Sequence, residues 1–69
     1  MKKINVTLDM MLVKRRVKSK ELAKAIGITE QALSKLKNNH ARGVRFATLE
    51  KICNYLDCEP EDILELRSD

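Results

Sequence analysis

The apolar positions of this chain change period along its length. Over residues 1–8, Ile4, Val6 and Leu8 alternate with Lys3, Asn5 and Thr7, the period of two expected of a strand. A strand this short is stable only when paired. From Asp9 the period becomes helical: Leu8, Met11 and Leu12 share a face to about Arg16, with Asp9 at the start and Lys14 to Arg16 at the end matching the helix dipole. Val17 is expected beneath the following turn, and Ser19 is expected to cap a second helix whose stripe is Leu22, Ala23 and Ile26. Leu33 and Leu36 carry a third helix, and Phe46, Leu49, Ile52, Cys53 and Leu56 a fourth. Between them, Asn38 to Arg45 shows no periodicity and is expected to be loop. Pro60 among Glu59, Glu61 and Asp62 is a start signal, a proline at N1 with carboxylates in the first turn. Ile63, Leu64 and Leu66 then continue as a short fifth helix or as an extended terminal piece. Residues 63–66 are also the one visible partner for the N-terminal strand, within the chain or across a dimer.

The stretch from Ser19 to Asn38 is the most specific. Gly27 stands where the second helix must end, in a left-handed position that costs another residue about 1 kcal/mol or more. Ile28 fills the corner and Thr29 can cap the third helix through its hydroxyl. Ala23 is small enough for the two helices to cross closely. An ordinary helical hairpin needs none of this to coincide, so the spacing predicts a helix-turn-helix over about residues 19–38. Its second helix turns Glu30, Gln31, Ser34, Lys35 and Lys37 outward, side chains able to meet base edges or phosphates.

Charge sharpens the picture. The 69 residues carry a net charge of +4. Residues 1–46 hold twelve Lys/Arg against three acids and residues 47–69 two against seven, so the helix-turn-helix half suits a polyanion and the other half repels one. Phe46 and Tyr55 are the only aromatics, too few for stacking on single strands, and an RNA duplex hides its major groove from a helix. Gly27 and Gly43 are the only glycines, so no phosphate-cradling loop exists. With no Ser/His/Asp set and little volume for a pocket, no catalytic residue and no cofactor are expected. Cys53, Cys58 and His40 cannot supply four zinc ligands, so no metal is expected and the thiols are read as reduced. No apolar run approaches the roughly 20 residues of a membrane span, and no secretory signal is evident. The expectation is one domain over residues 1–69, soluble and cytoplasmic, without membrane contact, small enough that oligomerisation would supplement its core.

The segment S-K-E-L-A-K-A-I-G-I-T-E-Q-A-L-S-K-L-K-N, followed by F-A-T-L-E-K-I-C-N-Y-L-D-C-E-P-E-D-I-L, resembles the phage-repressor and Cro-like helix-turn-helix family of small bacterial transcriptional regulators. The resemblance runs from about Leu8 to Leu64. It implies an all-α, compact five-helix domain, with helices two and three forming the helix-turn-helix and the third entering the major groove. By the same resemblance Thr29, Glu30, Gln31 and Lys35 face bases, Ser19 and Asn38 contact phosphates, and Arg42 and Arg45 are basic loop positions that touch the backbone or reach toward the minor groove. Ser34 and Lys37 complete the predicted DNA-binding set. Two positions depart from the pattern. Where repressors often pair an arginine of the first helix with a glutamate of the third, Leu12 and Lys37 stand here, which implies an apolar contact and a freed lysine. Glu30 replaces a glutamine and serves either a cytosine amino group or the helix dipole.

The function so implied is sequence-specific binding of duplex DNA by a transcriptional regulator of the repressor type. One helix reads only a few base pairs, so the expected partners are a palindromic operator and a second copy of the chain. The rival reading is a helix-turn-helix module kept for protein contacts, such as an antitoxin or anti-repressor partner.

Overall fold

The computed structural model describes residues 1–68. Strand β1 (Lys2–Val6) leads into helices α1 (Leu8–Arg15), α2 (Ser19–Ile26), α3 (Glu30–Lys37) and α4 (Phe46–Leu56). A single 3-10 turn (Pro60–Asp62) and strand β2 (Leu64–Ser68) follow. The two strands form an antiparallel sheet in which Lys2 faces Ser68, Ile4 faces Leu66 and Val6 faces Leu64.

This overturns the all-α, five-helix expectation. The helix start at Pro60 is real: Glu59 and Asp62 cap one another reciprocally, with Glu59 N–H donating to Asp62 Oδ2 at 2.8 Å. It lasts one turn because the apolar residues beyond it alternate, as a strand's do, and β1 offers them a matching alternation. Thr7 N–H donates to Ile63 C=O at 2.8 Å, extending the ladder by one pair. The N-terminal strand therefore pairs within its own chain.

The core is one cluster in which every helix takes part. Leu8, Met11 and Leu12 from α1, Leu22, Ala23 and Ile26 from α2, Leu33 and Leu36 from α3, and Ile52 and Leu56 from α4 meet beneath Ile63. Leu8, Leu22, Leu33 and Ile52 are wholly buried, and each such side chain contributes about 1.5–3 kcal/mol through the water it sheds. Val17, Ile28 and Leu49 are half-buried against this cluster. Phe46, expected in the fourth helix's stripe, is 82% exposed; it is the first residue of α4 and lies outside the core.

Arg15 has a role that its position in a basic run did not reveal. Its Nε donates to Leu56 C=O at 2.9 Å and its Nη2 to Asp57 C=O at 3.1 Å, a cation on the carbonyl end of α4. That end is closed without glycine. Asp57 takes the left-handed conformation (φ 52°) and Cys58 N–H returns to Cys53 C=O at 3.0 Å, the long bond of a Schellman turn. The side chains at the two ends of that bond are both cysteines, free and half-buried.

Candidate nucleic-acid interface

The turn of the helix-turn-helix is built as its residues predict. Gly27 is left-handed (φ 76°) and Ile28 N–H donates to Ala23 C=O at 3.0 Å. A Cβ added at Gly27 would meet nothing within 4 Å, so the demand there is conformational rather than steric. Ala23 is 1% exposed between the two helices. Thr29 Oγ1 accepts from Ala32 N–H at 3.0 Å, capping α3 and leaving its own hydroxyl proton free to donate outward.

With Leu33 and Leu36 holding α3 to the core, Glu30, Gln31 and Lys35 are exposed, and Ser34 and Lys37 half-buried. Asn38 follows the helix, its Nδ2 donating to Ser34 Oγ at 3.2 Å. The loop beyond folds back on α3: the N–H groups of His40 and Ala41 both reach Lys35 C=O, at 2.8 and 3.1 Å. That brings Arg45 into one shallow groove with Lys35, lined also by Ala32, Ala41 and Gly43. Arg42, in the same loop, is exposed.

Ser19 and Lys37 differ from expectation. Ser19 is the first residue of α2 rather than its cap; Lys18 holds the cap position and offers no side-chain hydrogen bond. Ser19 Oγ instead accepts from Lys37 Nζ at 2.9 Å, and the same ammonium lies 3.5 Å from Asp9 Oδ1. Lys37 is therefore engaged, not freed. The link between first and third helices survives with its charges exchanged, Asp9 on α1 and lysine on α3. Arg16 and Lys18 line a groove with Ser19, Lys37 and Asp9, so Ser19 sits among three cations and one carboxylate at a helix N-terminus without a side-chain cap.

Asn39 was not foreseen as more than loop. It is left-handed (φ 62°), a conformation asparagine tolerates. Its Oδ1 accepts from Val6 N–H at 2.6 Å and its Nδ2 donates to Val6 C=O at 3.4 Å. The side-chain amide thus pairs with β1 as a further strand would and fastens it to the end of α3. The Asn-Asn pair after a helix hints at the left-handed turn; its partner 33 residues away has no local signature.

Two carboxylates lie on this face, Glu30 exposed on α3 and Asp9 beside Lys37. Glu21, on α2, takes the Tyr55 hydroxyl of α4 as a hydrogen bond, which raises the phenol above its ordinary range. Among the described residues no cluster of three or more His, Cys, Asp or Glu side chains is placed to hold a metal ion. Among the described residues no helix is long and apolar enough to cross a membrane.

A helix-turn-helix whose second helix turns exposed polar side chains outward between two cationic flanks matches what comparison with known proteins finds. The model of the Cro/C1-type HTH DNA-binding domain matches residues 7–69. The chain belongs to that family. It is thus a DNA-binding helix-turn-helix domain, and the family is not an enzyme class. An uncharacterized HTH-type transcriptional regulator of Bacillus subtilis (strain 168), YozG, is 50% identical over 66 residues, covering 96% of this chain and 79% of its own. Among solved structures, the transcriptional regulator VanUg superposes with a TM-score of 0.79 at 30% identity, over 99% of this chain and 89% of its own. A Bacteroides fragilis protein superposes with a TM-score of 0.82 over 91% of this chain and all of its own; at 17% identity that likeness shows the fold alone.

Proposed function

We propose that this protein is a transcriptional regulator of the repressor type, acting in the cytoplasm, that recognises a duplex DNA operator by seating α3 in the major groove. The observation that carries this reading is the two-sidedness of α3: Leu33 and Leu36 are buried beneath it while Glu30, Gln31 and Lys35 stand exposed on it. A B-form major groove admits one helix and displays a distinct donor and acceptor pattern for each base pair. Gln31 and Lys35 are four apart on one face; glutamine suits adenine N6/N7 and lysine suits guanine O6/N7, each worth about 1–3 kcal/mol of discrimination. Thr29 donates its free hydroxyl proton beside them, and Glu30 accepts from a cytosine amino group or stays a partner of the helix dipole.

The flanks hold the backbone. Ser19, its oxygen already engaged by Lys37, donates its proton to a phosphate that the uncapped N–H groups of α2 also attract. Asn38, with Ser34 beneath its amide, and Arg42 and Arg45 meet the phosphates at the other end. Two copies bind a palindrome with half-sites about 34 Å apart. Duplex affinity measured against salt tests the reading: the logarithm of the affinity should fall by about 0.9 for each phosphate contacted per tenfold rise in salt, and Arg42→Ala should reduce that slope by about one contact per copy. Saturable binding to a protein, with no duplex shifted at low salt, would favour the interaction-module reading instead.

A further inference from the structure

Asn39 occupies a turn position that glycine would fill without strain. It follows the cap residue of α3 and is left-handed, at φ 62°. Its N–H returns to Leu36 C=O at 3.2 Å and that of His40 to Lys35 C=O at 2.8 Å, the paired bonds of a Schellman turn. Gly27 stands at the same place in the turn after α2, one residue before the N–H of Ile28 that reaches Ala23 C=O. What asparagine adds over glycine is the amide that grips both backbone groups of Val6. The far end of this clamp is fixed, since Val6 pairs with Leu64 of β2 and packs against the core. The near end is the root of the loop that carries Arg42 and Arg45. Beyond that root the loop is held lightly. Ala41 N–H reaches Lys35 C=O at 3.1 Å and Val44 packs against the core, while Arg42 is exposed and a Cβ on Gly43 would meet nothing within 4 Å.

We propose that Asn39 is a positioning residue for DNA binding. Its amide braces the loop against β1, so that the Arg42 and Arg45 guanidinium groups are set for phosphates before a duplex arrives. The proposal deepens the reading above, in which those arginines hold the backbone, and rests on it. A loop ordered in the free protein need not be ordered at the moment of binding. Without the clamp that ordering counts against the complex, and affinity falls alike for every sequence, because phosphate contacts carry no base information. The two-stranded sheet thereby takes part in DNA binding without touching a base.

Duplex affinity against salt, with stability and amide exchange measured on the same variants, tests it. Asn39→Gly keeps the left-handed turn at ease and loses the amide, whereas Asn39→Ala loses the amide and strains the turn. The alanine variant should therefore melt lower than the glycine variant. Both should lose about three- to tenfold in duplex affinity, with a shallower salt slope and the preferred sequence unchanged. In a chain already carrying Arg42→Ala and Arg45→Ala, adding Asn39→Gly should cost less than about twofold, since coupled residues do not add. Faster exchange in β1 with duplex affinity unchanged overturns the proposal. So does a glycine variant that recovers the affinity lost with alanine, which would assign the effect to the turn, or an equal loss with both arginines absent. Wild-type affinity retained in the double arginine variant overturns the reading beneath it, the phosphate role of the loop, and the proposal with it.

Discussion

The helix-turn-helix and the sheet are held together by different means. In the first, residues close in sequence bury one another: Leu22, Ala23, Ile26, Leu33 and Leu36 are all 9% exposed or less. In the second, the two ends of the chain meet, Lys2 against Ser68, and no strand residue is fully buried. The sheet depends on its ladder and on attachments outside it, the Asn39 amide on Val6 and the Thr7 bond to Ile63. A surface that must present bases with fixed donors and acceptors gains from burial beneath it. The molecule divides its stability accordingly.

Breaking the buried side should cost most. Leu33→Ala is expected to destabilise by about 2–5 kcal/mol, a large share of what so small a fold possesses, whereas Leu66→Ala, at an exposed position, should stay within about 0.5 kcal/mol at concentrations where the protein is monomeric. Denaturant melts of the two variants make the comparison; equal losses would erase the distinction. Next in size, Thr29→Ala should cost about 1 kcal/mol through the lost cap, with a matching drop in the melting midpoint. Asn39→Ala should cost about 0.5–1.5 kcal/mol but act locally. Amide hydrogen exchange should quicken in β1 and leave the α2–α3 seam unchanged, since local openings draw on local contacts.

The smallest effect concerns pH. Burial, the neighbouring Cys53 and Asp62 push the Cys58 thiol up from 9.0 to about 11, and burial also raises Cys53. Between those values the folded chain keeps a proton that the unfolded chain has lost, so stability falls as pH rises from about 9 to about 11. Melts across that window should show a slope that Cys58→Ser reduces. At neutral pH the protonated thiols should alkylate more slowly than a free cysteine.

What was legible in the sequence follows the same division. The Gly27 turn, the Thr29 cap and the Leu33–Leu36 stripe are signals between residues a few places apart, and each appears in the structure where its spacing puts it. The fifth helix failed because Pro60 and its carboxylates announce a start but not a length; the length was decided by β1, sixty residues away. Phe46 failed because a helix's first residue can follow the stripe in sequence and still lie beyond the core. At the interface, exposure on α3 was readable from periodicity, while the ties of Lys37 to Ser19 and Asp9, of Arg15 to the end of α4 and of Asn39 to Val6 join elements whose approach no local pattern encodes.

Selection of bound sequences from random duplex DNA, with the wild type, Gln31→Ala and Arg42→Ala side by side, tests the central claim most directly. If α3 reads the major groove, the wild type should enrich a palindrome, and Gln31→Ala should relax one base pair in each half-site at a cost of about 1–3 kcal/mol of discrimination. Arg42→Ala should bind the same sequences more weakly with the preference unchanged. No enriched sequence with the wild type, or an identical change of preference in both variants, would contradict it.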